Sequence, residues 1–348
     1  MHHTFHTAPS RRALALAAAL LLLCGPAAGP AVAQRITKTG TTIGQFLLIE
    51  PSARAAAMGG TGVASAFEIQ SAYQNPGALG QLGRTGAQFT HMEYLADVRY
   101  DHAATAVAFG ANTLLVSLTY LNSGEMDVRT VEQPQGTGER FEVTNLALGV
   151  GAARRLTDRF SAGARVQYVR ETIWHSTLDA FSVDAGVLYR LPVGATLGAS
   201  LSNFGSRGRY DGRDLAVNID PDPGREGDNP RLPGSLATED FSLPILFRVG
   251  MAYPVAMGEA GALSLAFDAY QPSDNTPSMS VGAEYRFRDV VAFRGGYEKL
   301  FEQDSEKGLT LGGGLGMRLG TARLTFDYAW ARHDRLGNPQ RFTLGFTL

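Results

Sequence analysis

A period of two that returns in segment after segment from Gly86 to Leu348 constrains this chain more than any other feature. In Leu309-Thr310-Leu311-Gly312-Gly313-Gly314-Leu315-Gly316-Met317-Arg318-Leu319 nearly every odd position is apolar and every even one small or polar. Further on, Leu324, Phe326, Tyr328 and Trp330 alternate with Arg323, Thr325 and Asp327. Side chains of a strand point to opposite faces in turn, so each such segment is a strand with one greasy and one polar side. Fourteen segments obey the rule, near 86–93, 100–109, 112–122, 141–153, 160–173, 178–190, 194–203, 245–254, 262–271, 278–288, 290–298, 308–319, 322–332 and 340–348. Most are longer than the ~5–6 residues of a strand in a soluble sandwich and match the ~9–11 of a tilted membrane-spanning strand. The count is even, as a closed bacterial barrel requires.

The connections also alternate. Those after even-numbered segments are mostly tight, around Gly110-Ala111, Pro192-Val193, Asp289 and Gly320-Thr321, whereas those after odd-numbered ones are mostly longer, at 122–140, 204–244, 299–307 and 333–339. Short turns at one end and long loops at the other is the outer-membrane arrangement, with the turns in the periplasm. The stretch 204–244, with Pro221, Pro223, Pro230 and Pro233 among Asp, Arg and Gly, reads as a functional or unstructured loop. Outward Tyr120, Tyr168, Tyr189, Tyr253, Tyr285, Tyr297, Tyr328 and Trp330 read as an interfacial girdle, with carbohydrate binding as the lesser alternative.

The start of the chain is an export signal. Arg11-Arg12 precede an apolar run from Ala13 to Leu23, and Gly25-Pro26 and Ala31-Val32-Ala33 follow. That run is far shorter than the roughly 20 residues of a spanning helix, so cleavage after Ala33 is expected. Leu23 is too bulky before Cys24 for lipoprotein processing. Removal of 1–33 takes away the one cysteine, and with it any thiol chemistry. A net charge of −2 argues against a nucleic-acid partner. Mean hydropathy near zero excludes a bundle of membrane helices but suits a barrel whose two faces cancel. His91, His102, His175 and His333 are scattered, and neither an HExxH nor a G-x-S-x-G motif occurs, so no catalysis and no cofactor are expected. Asp220, Asp222, Glu226 and Asp228 offer oxygen ligands to calcium, but the intervening prolines depart from a calcium-loop pattern and a solvated acidic loop is the default.

Between 34 and 85 the period breaks. Ser52 to Met58 reads as a short alanine-rich helix ending at Gly59-Gly60, and Ser71 to Leu82 carries a turn at Asn75-Pro76-Gly77. Two small helical pieces of this kind fit inside a barrel of fourteen strands as a hatch, giving the organisation 1–33 leader, 34–85 hatch and 86–348 barrel. Gly44-Gln45-Phe46-Leu47, Pro51-Ser52-Ala53-Arg54-Ala55-Ala56-Ala57-Met58-Gly59-Gly60-Thr61-Gly62-Val63-Ala64 and Ala72-Tyr73-Gln74-Asn75-Pro76-Gly77-Ala78-Leu79 resemble the N-terminal region of the PorV/PorQ family, within the FadL-like group of outer-membrane barrels. The family usually has Asn-Pro-Ala at the second motif, where this chain has Asn-Pro-Gly. The resemblance implies a fourteen-stranded antiparallel barrel with a helical hatch in its lumen and a role near type IX secretion. Its partners would be outer-membrane lipid and secreted cargo or secretion-system subunits. The FadL side of the group implies uptake of hydrophobic small molecules instead.

Candidate site residues are the hatch motif Arg54, Met58, Gly59, Gly60, Asn75 and Pro76, and the lumen-facing charges Arg165, Asp184, Arg248, Asp268, Glu284, Arg286, Arg294, Arg318, Arg323 and Asp327. The two signs mix, which favours ion pairs with one another and with the hatch over a selective pore. Arg54 is expected to fork onto an inward carboxylate, and Asn75 to close its turn through its side chain. The tail Gly345-Phe346-Thr347-Leu348 looks like a signal for barrel assembly and equally serves as a last strand facing lipid.

Overall fold

The computed structural model describes residues 38–65, 68–221, 224, 231–257, 261–302, 305–335 and 337–348. The leader 1–33 and most of the acidic tip of the longest loop, including Asp222, Glu226 and Asp228, lie outside the described residues.

Fourteen strands form the wall: β1 (Gly86–Glu93), β2 (Arg99–Phe109), β3 (Asn112–Asn122), β4 (Val143–Arg155), β5 (Phe160–Ile173), β6 (Ser176–Arg190), β7 (Thr196–Gly205), β8 (Leu246–Ala256), β9 (Ala262–Pro272), β10 (Ser278–Phe287), β11 (Val291–Leu300), β12 (Lys307–Leu319), β13 (Ala322–His333) and β14 (Gln340–Thr347). Each pairs antiparallel with its neighbours in sequence, and β14 returns to β1 with Gly86 opposite Thr347 and Glu93 opposite Gln340. The ring is therefore closed and the strands leave no free edge, the condition for a sheet to sit in hydrocarbon. Every strand begins and ends within two residues of the segment marked by the alternation.

The wall is inverted relative to a soluble protein. On β3, Leu114, Val116 and Leu118 are 50, 60 and 40% exposed, whereas Thr113, Ser117 and Thr119 are buried. The same outward apolar row continues through Phe89, Val150, Phe181, Phe247, Leu265, Phe293, Leu311 and Leu344. A continuous belt of this kind is stable only against lipid. Tyr120, Tyr168, Tyr297, Tyr328 and Trp330 lie toward the loop end of the belt, and Tyr189, Tyr253 and Tyr285 toward the turn end.

Turns after even-numbered strands hold two to five residues. At the other end the sidedness is carried by two loops, 123–142 and 206–245, and β5 passes to β6 through Trp174 and His175 alone. The longer loop is not structureless. It contains a hairpin (Ala216–Ile219 with Leu232–Ser235), and its Asp211–Gly212 extends the sheet beside β6. Asp214 also accepts hydrogen bonds from the His175 backbone (3.1 Å) and ring (2.9 Å), so the long loop braces the short one. Pro233, among the described residues, lies within that hairpin, paired with Asn218.

The hatch runs along the lumen from loop end to turn end. A 3-10 turn (Gln45–Leu48) is followed by α1 (Ala53–Ala57), α2 (Ser71–Gln74), a 3-10 turn (Pro76–Ala78) and α3 (Leu79–Leu82). Ser52 Oγ caps α1 by accepting the Ala55 N–H at 3.0 Å, and Gly59 and Gly60 (φ 72° and 73°) end it. Phe46, Leu47 and Ile49 pack against Met92, Tyr100, Val169 and Leu178 at one end, and Ile69 and Leu79 against Ala104, Ala106 and Leu115 at the other. The middle seat depends on two glycines that face each other across β10 and β11, Gly282 and Gly296. A Cβ at Gly282 would stand 2.2 Å from the Met58 carbonyl oxygen, and one at Gly296 would stand 2.3 Å from the Gly59 nitrogen.

Gly282→Leu is therefore expected to cost roughly 1–3 kcal/mol through overpacking and to unseat the hatch. Trypsin should then cut the folded barrel after Arg54. Gly295→Leu, at a position where an added Cβ would meet only ordinary contacts with Leu311 Cδ2 at 3.6 Å and the Thr310 carbonyl at 3.9 Å, should leave that bond protected; equal cutting of both variants would refute the seating argument.

Candidate functional site

The lumen is occupied by the hatch and by the polar inner faces of the strands. Arg54 on α1 reaches β10, its Nη2 2.6 Å from Glu284 Oε1. Glu284 also receives Arg286 Nη2 at 2.6 Å and, across the β10–β11 register, Arg294 Nε at 2.7 Å. Arg294 Nη1 continues to Asp327 Oδ1 on β13, 2.7 Å away. The strand between them, β12, is bare at that level: a Cβ on Gly314 would lie 2.2 Å from Asp327 Oδ1 and 2.8 Å from Arg294 Nη2. Glycine there lets the guanidinium pass over one strand to a carboxylate on the next. Glu284 is 1% exposed and Asp327 5%, so the two carboxylates are buried, while Arg286 at the edge of the network is 25% exposed.

The other lumen charges serve the hatch separately. Arg165 and Asp184, opposite each other on β5 and β6, pair at 2.6 Å, and Gln167 and the Asn203 N–H also donate to that carboxylate. The Arg165 guanidinium lies over the Tyr73 ring of α2 at 5.1 Å. Asp268 accepts the backbone N–H groups of Gly62 and Val63 at 2.7 and 3.0 Å. Arg248 donates to Ser202 Oγ rather than to a carboxylate. Asn75, fully buried, accepts the Gly77 N–H at 2.9 Å and donates to the carbonyls of Val63 and Val187 at 2.7 and 2.9 Å, while Pro76 opens the following 3-10 turn. Met58 is buried; the Gly59 N–H donates to Thr310 Oγ1, and the Gly60 carbonyl accepts from Gln74 and Tyr270.

Arg318 and Arg323 hold lumen-phase positions but stand at the rim. Arg318 is 73% exposed and 3.8 Å from Asp289, and Arg323 donates to the Asp289 carbonyl at 3.0 Å. They flank the β12–β13 turn, beyond the reach of the hatch.

Two hatch carboxylates did not stand out in the sequence. Glu50 accepts the Ser52 N–H at 2.9 Å and a bond from Gln74 Nε2. Glu68 accepts from Ser52 Oγ and from Gln88 Nε2. Burial pushes Glu68 up, and raises Glu50 from its ordinary 4.5 to about 7 against the opposing pull of Gln74, Ser52, Arg248 and Arg341. A lone acid beside large apolar residues, Glu50 after Leu48-Ile49 and Glu68 between Phe67 and Ile69, was the available signal for each.

Among the described residues, three spaces lie along the lumen. The loop-end chamber, about 610 Å³, is lined by Phe46, Ile49, Leu121 and Leu246 and by Glu50, Arg248 and Arg341. The turn-end chamber, about 370 Å³, is lined by Arg54, Arg84, Arg294, Arg318, Arg323 and Asp327. Between them, among Glu50, Ser52, Arg54 and Glu68, is a void of about 20 Å³, room for one water molecule.

Glu284→Ala removes the carboxylate that three guanidinium groups share and is expected to lower barrel stability by about 3–5 kcal/mol, read as denaturant unfolding in detergent. Glu50 has the opposite sign to a paired surface acid. Its folded pKa lies above the unfolded one, so as pH rises from about 4.5 to about 7 the unfolded chain ionises first and the hatch loses stability. Melting temperature should fall across that window in the native protein and fall less in Glu50→Gln; parallel profiles would reject this assignment.

The likeness to solved structures is one of fold. The Pseudomonas putida toluene transporter TodX superposes with a TM-score of 0.56 at 13% identity, covering 86% of this chain and 98% of that one. The CymD monoaromatic hydrocarbon channel gives 0.55 at 14%, covering 86% and 97%. A Pseudomonas aeruginosa FadL homologue gives 0.53 at 12%, covering 85% and 97%. No curated protein matches the sequence. The family model for the type IX secretion system protein PorV matches residues 32–213, just over half of the chain and the whole of the hatch. This outer-membrane barrel belongs to the PorV family.

Proposed function

We propose that the protein is a non-enzymatic, non-conducting partner in type IX secretion that holds secreted proteins or secretion subunits at its loop end. The filled lumen carries this reading: among the described residues, the space between the loop-end and turn-end chambers is a polar void the size of one water. A channel for apolar compounds needs a continuous greasy passage. The loops supply a surface of the kind proteins dock on, with Val131 fully exposed, Phe301 83% and Leu236 56% exposed, beyond the lipid belt.

A second reading, uptake of hydrophobic small molecules, draws on the partly apolar loop-end chamber and on the fold shared with a toluene transporter and a monoaromatic hydrocarbon channel. Purification from native membranes separates the two. Stoichiometric secreted proteins or secretion subunits, depleted in the Val131→Asp/Phe301→Asp variant, support the partner role. A bound apolar compound with no such proteins would replace it with uptake.

A further inference from the structure

The two ends of the barrel differ in charge. Among the described residues, the loops of the loop end carry fifteen carboxylates against seven arginines. Among the described residues, the turn end carries three arginines outside strands (84, 159 and 288) and six more on the adjoining strand ends (154, 155, 190, 286, 318 and 323), against Asp158 and Asp289 in the turns. Part of that positive charge meets an apolar groove on the outer wall.

The groove is about 1030 Å³ and crosses the turn-end half of β12, β13, β14, β1 and β2. Strand register sets two rows of outward side chains across it. One runs Met317, Leu324, Phe346, Ala87, Thr105, and the next Leu315, Phe326, Leu344, Phe89, Ala103. The small residues of β1 and β2 leave the depression, and the large ones of β12 to β14 form its flank. The β10–β11 turn stands at its foot, tied to β12 by the Gly316 N–H to Val290 carbonyl bond at 2.7 Å. From that corner Arg288 and Arg318 line the groove. Arg288 lies over the outward Phe287 ring at 5.1 Å, and no carboxylate pairs with it among the described residues. Arg318 has only the distant Asp289, 3.8 Å away, which also faces Arg286 at 3.5 Å.

We propose that this groove is a binding site for one anionic phospholipid of the leaflet at the turn end. An acyl chain lies along the two rows, and the phosphate sits between Arg288 and Arg318. The occupant follows from the two halves of the site together. Guanidinium groups held at the foot of a lipid-facing wall select a phosphate at headgroup depth, and the apolar rows require a chain attached to it. A soluble acidic peptide would satisfy the arginines and leave the rows uncovered.

Native mass spectrometry of the detergent-purified protein tests this, with dioleoyl phosphatidylglycerol and dioleoyl phosphatidylcholine as probes. The native protein should retain one phosphatidylglycerol with roughly tenfold preference over phosphatidylcholine. Arg288→Ala/Arg318→Ala should abolish the preference, whereas Arg154→Ala/Arg159→Ala, at the same end but off the groove, should keep it. Ala87→Leu fills the depression and should lower retention of both lipids with the arginines intact. Migration of unheated samples as compact barrels shows that each variant is folded. Equal retention of the two lipids by the native protein, or an unchanged preference in the Arg288/Arg318 variant, would overturn the site. So would displacement of the lipid by glycerol 3-phosphate at the same concentration, because the occupant would then be a soluble anion.

Discussion

The register between β1 and β14 is the constraint on which everything else rests. Eight residues of each strand, from Gly86 opposite Thr347 to Glu93 opposite Gln340, join the two ends of the sheet. Without that seam the outer faces of the strands would still be apolar, but two edges of backbone N–H and C=O groups would meet hydrocarbon unpaired. With it, all hydrogen bonding of the wall is internal and side chains are free to follow the demands of each face. The outward rows then become lipid contacts and the inward rows become the walls of a chamber.

A closed wall creates a second problem, an interior too wide for fourteen inner faces to fill. The chain solves it with some forty residues of its own N-terminal sequence, and this explains the odd composition of the inner face. Where the hatch touches the wall closely, the wall has glycine, as at Gly282 and Gly296 beneath Met58 and Gly59. Where the hatch stands further off, charged side chains bridge the gap, as Arg54 does to Glu284 and as Asp268 does to the N–H groups of Gly62 and Val63. Buried ion pairs of this kind gain little over apolar packing but are costly to break singly. They therefore fix the position of the hatch more than they add stability.

The wall was legible in the sequence because lipid and lumen impose opposite chemistry on alternate residues, and a period of two survives any uncertainty about register. The helix at Ala53–Ala57 and the turn at Asn75 were legible for the local reasons of capping and turn chemistry. What could not be read was pairing over distance. Arg54 and Glu284 lie 230 positions apart, and nothing local to either names the other. The same limit hid Glu50 and Glu68, whose partners Gln74, Ser52 and Gln88 are ordinary polar residues until the chain folds back on itself. Arg318 and Arg323 show the converse limit. Their phase is inward, but phase says nothing of height along the barrel, and height puts them at the rim.

An interior filled by the hatch leaves the two ends and the outer wall as the accessible surfaces. The hatch leaves chambers at both mouths, and a path through the described residues between them would have to disturb Arg54–Glu284, the Ser52–Glu68 contact or the Asn75 bonds. A ligand entering from the loop end would have to supply that energy from its own contacts in a chamber where Glu298 already pairs with Lys307 and Lys299 with Glu302. Macromolecular contacts on the loops face no such cost, since Val131, Leu236 and Phe301 are already exposed. Acidic loops at one end and arginines at the other would then orient the barrel between two different sets of neighbours.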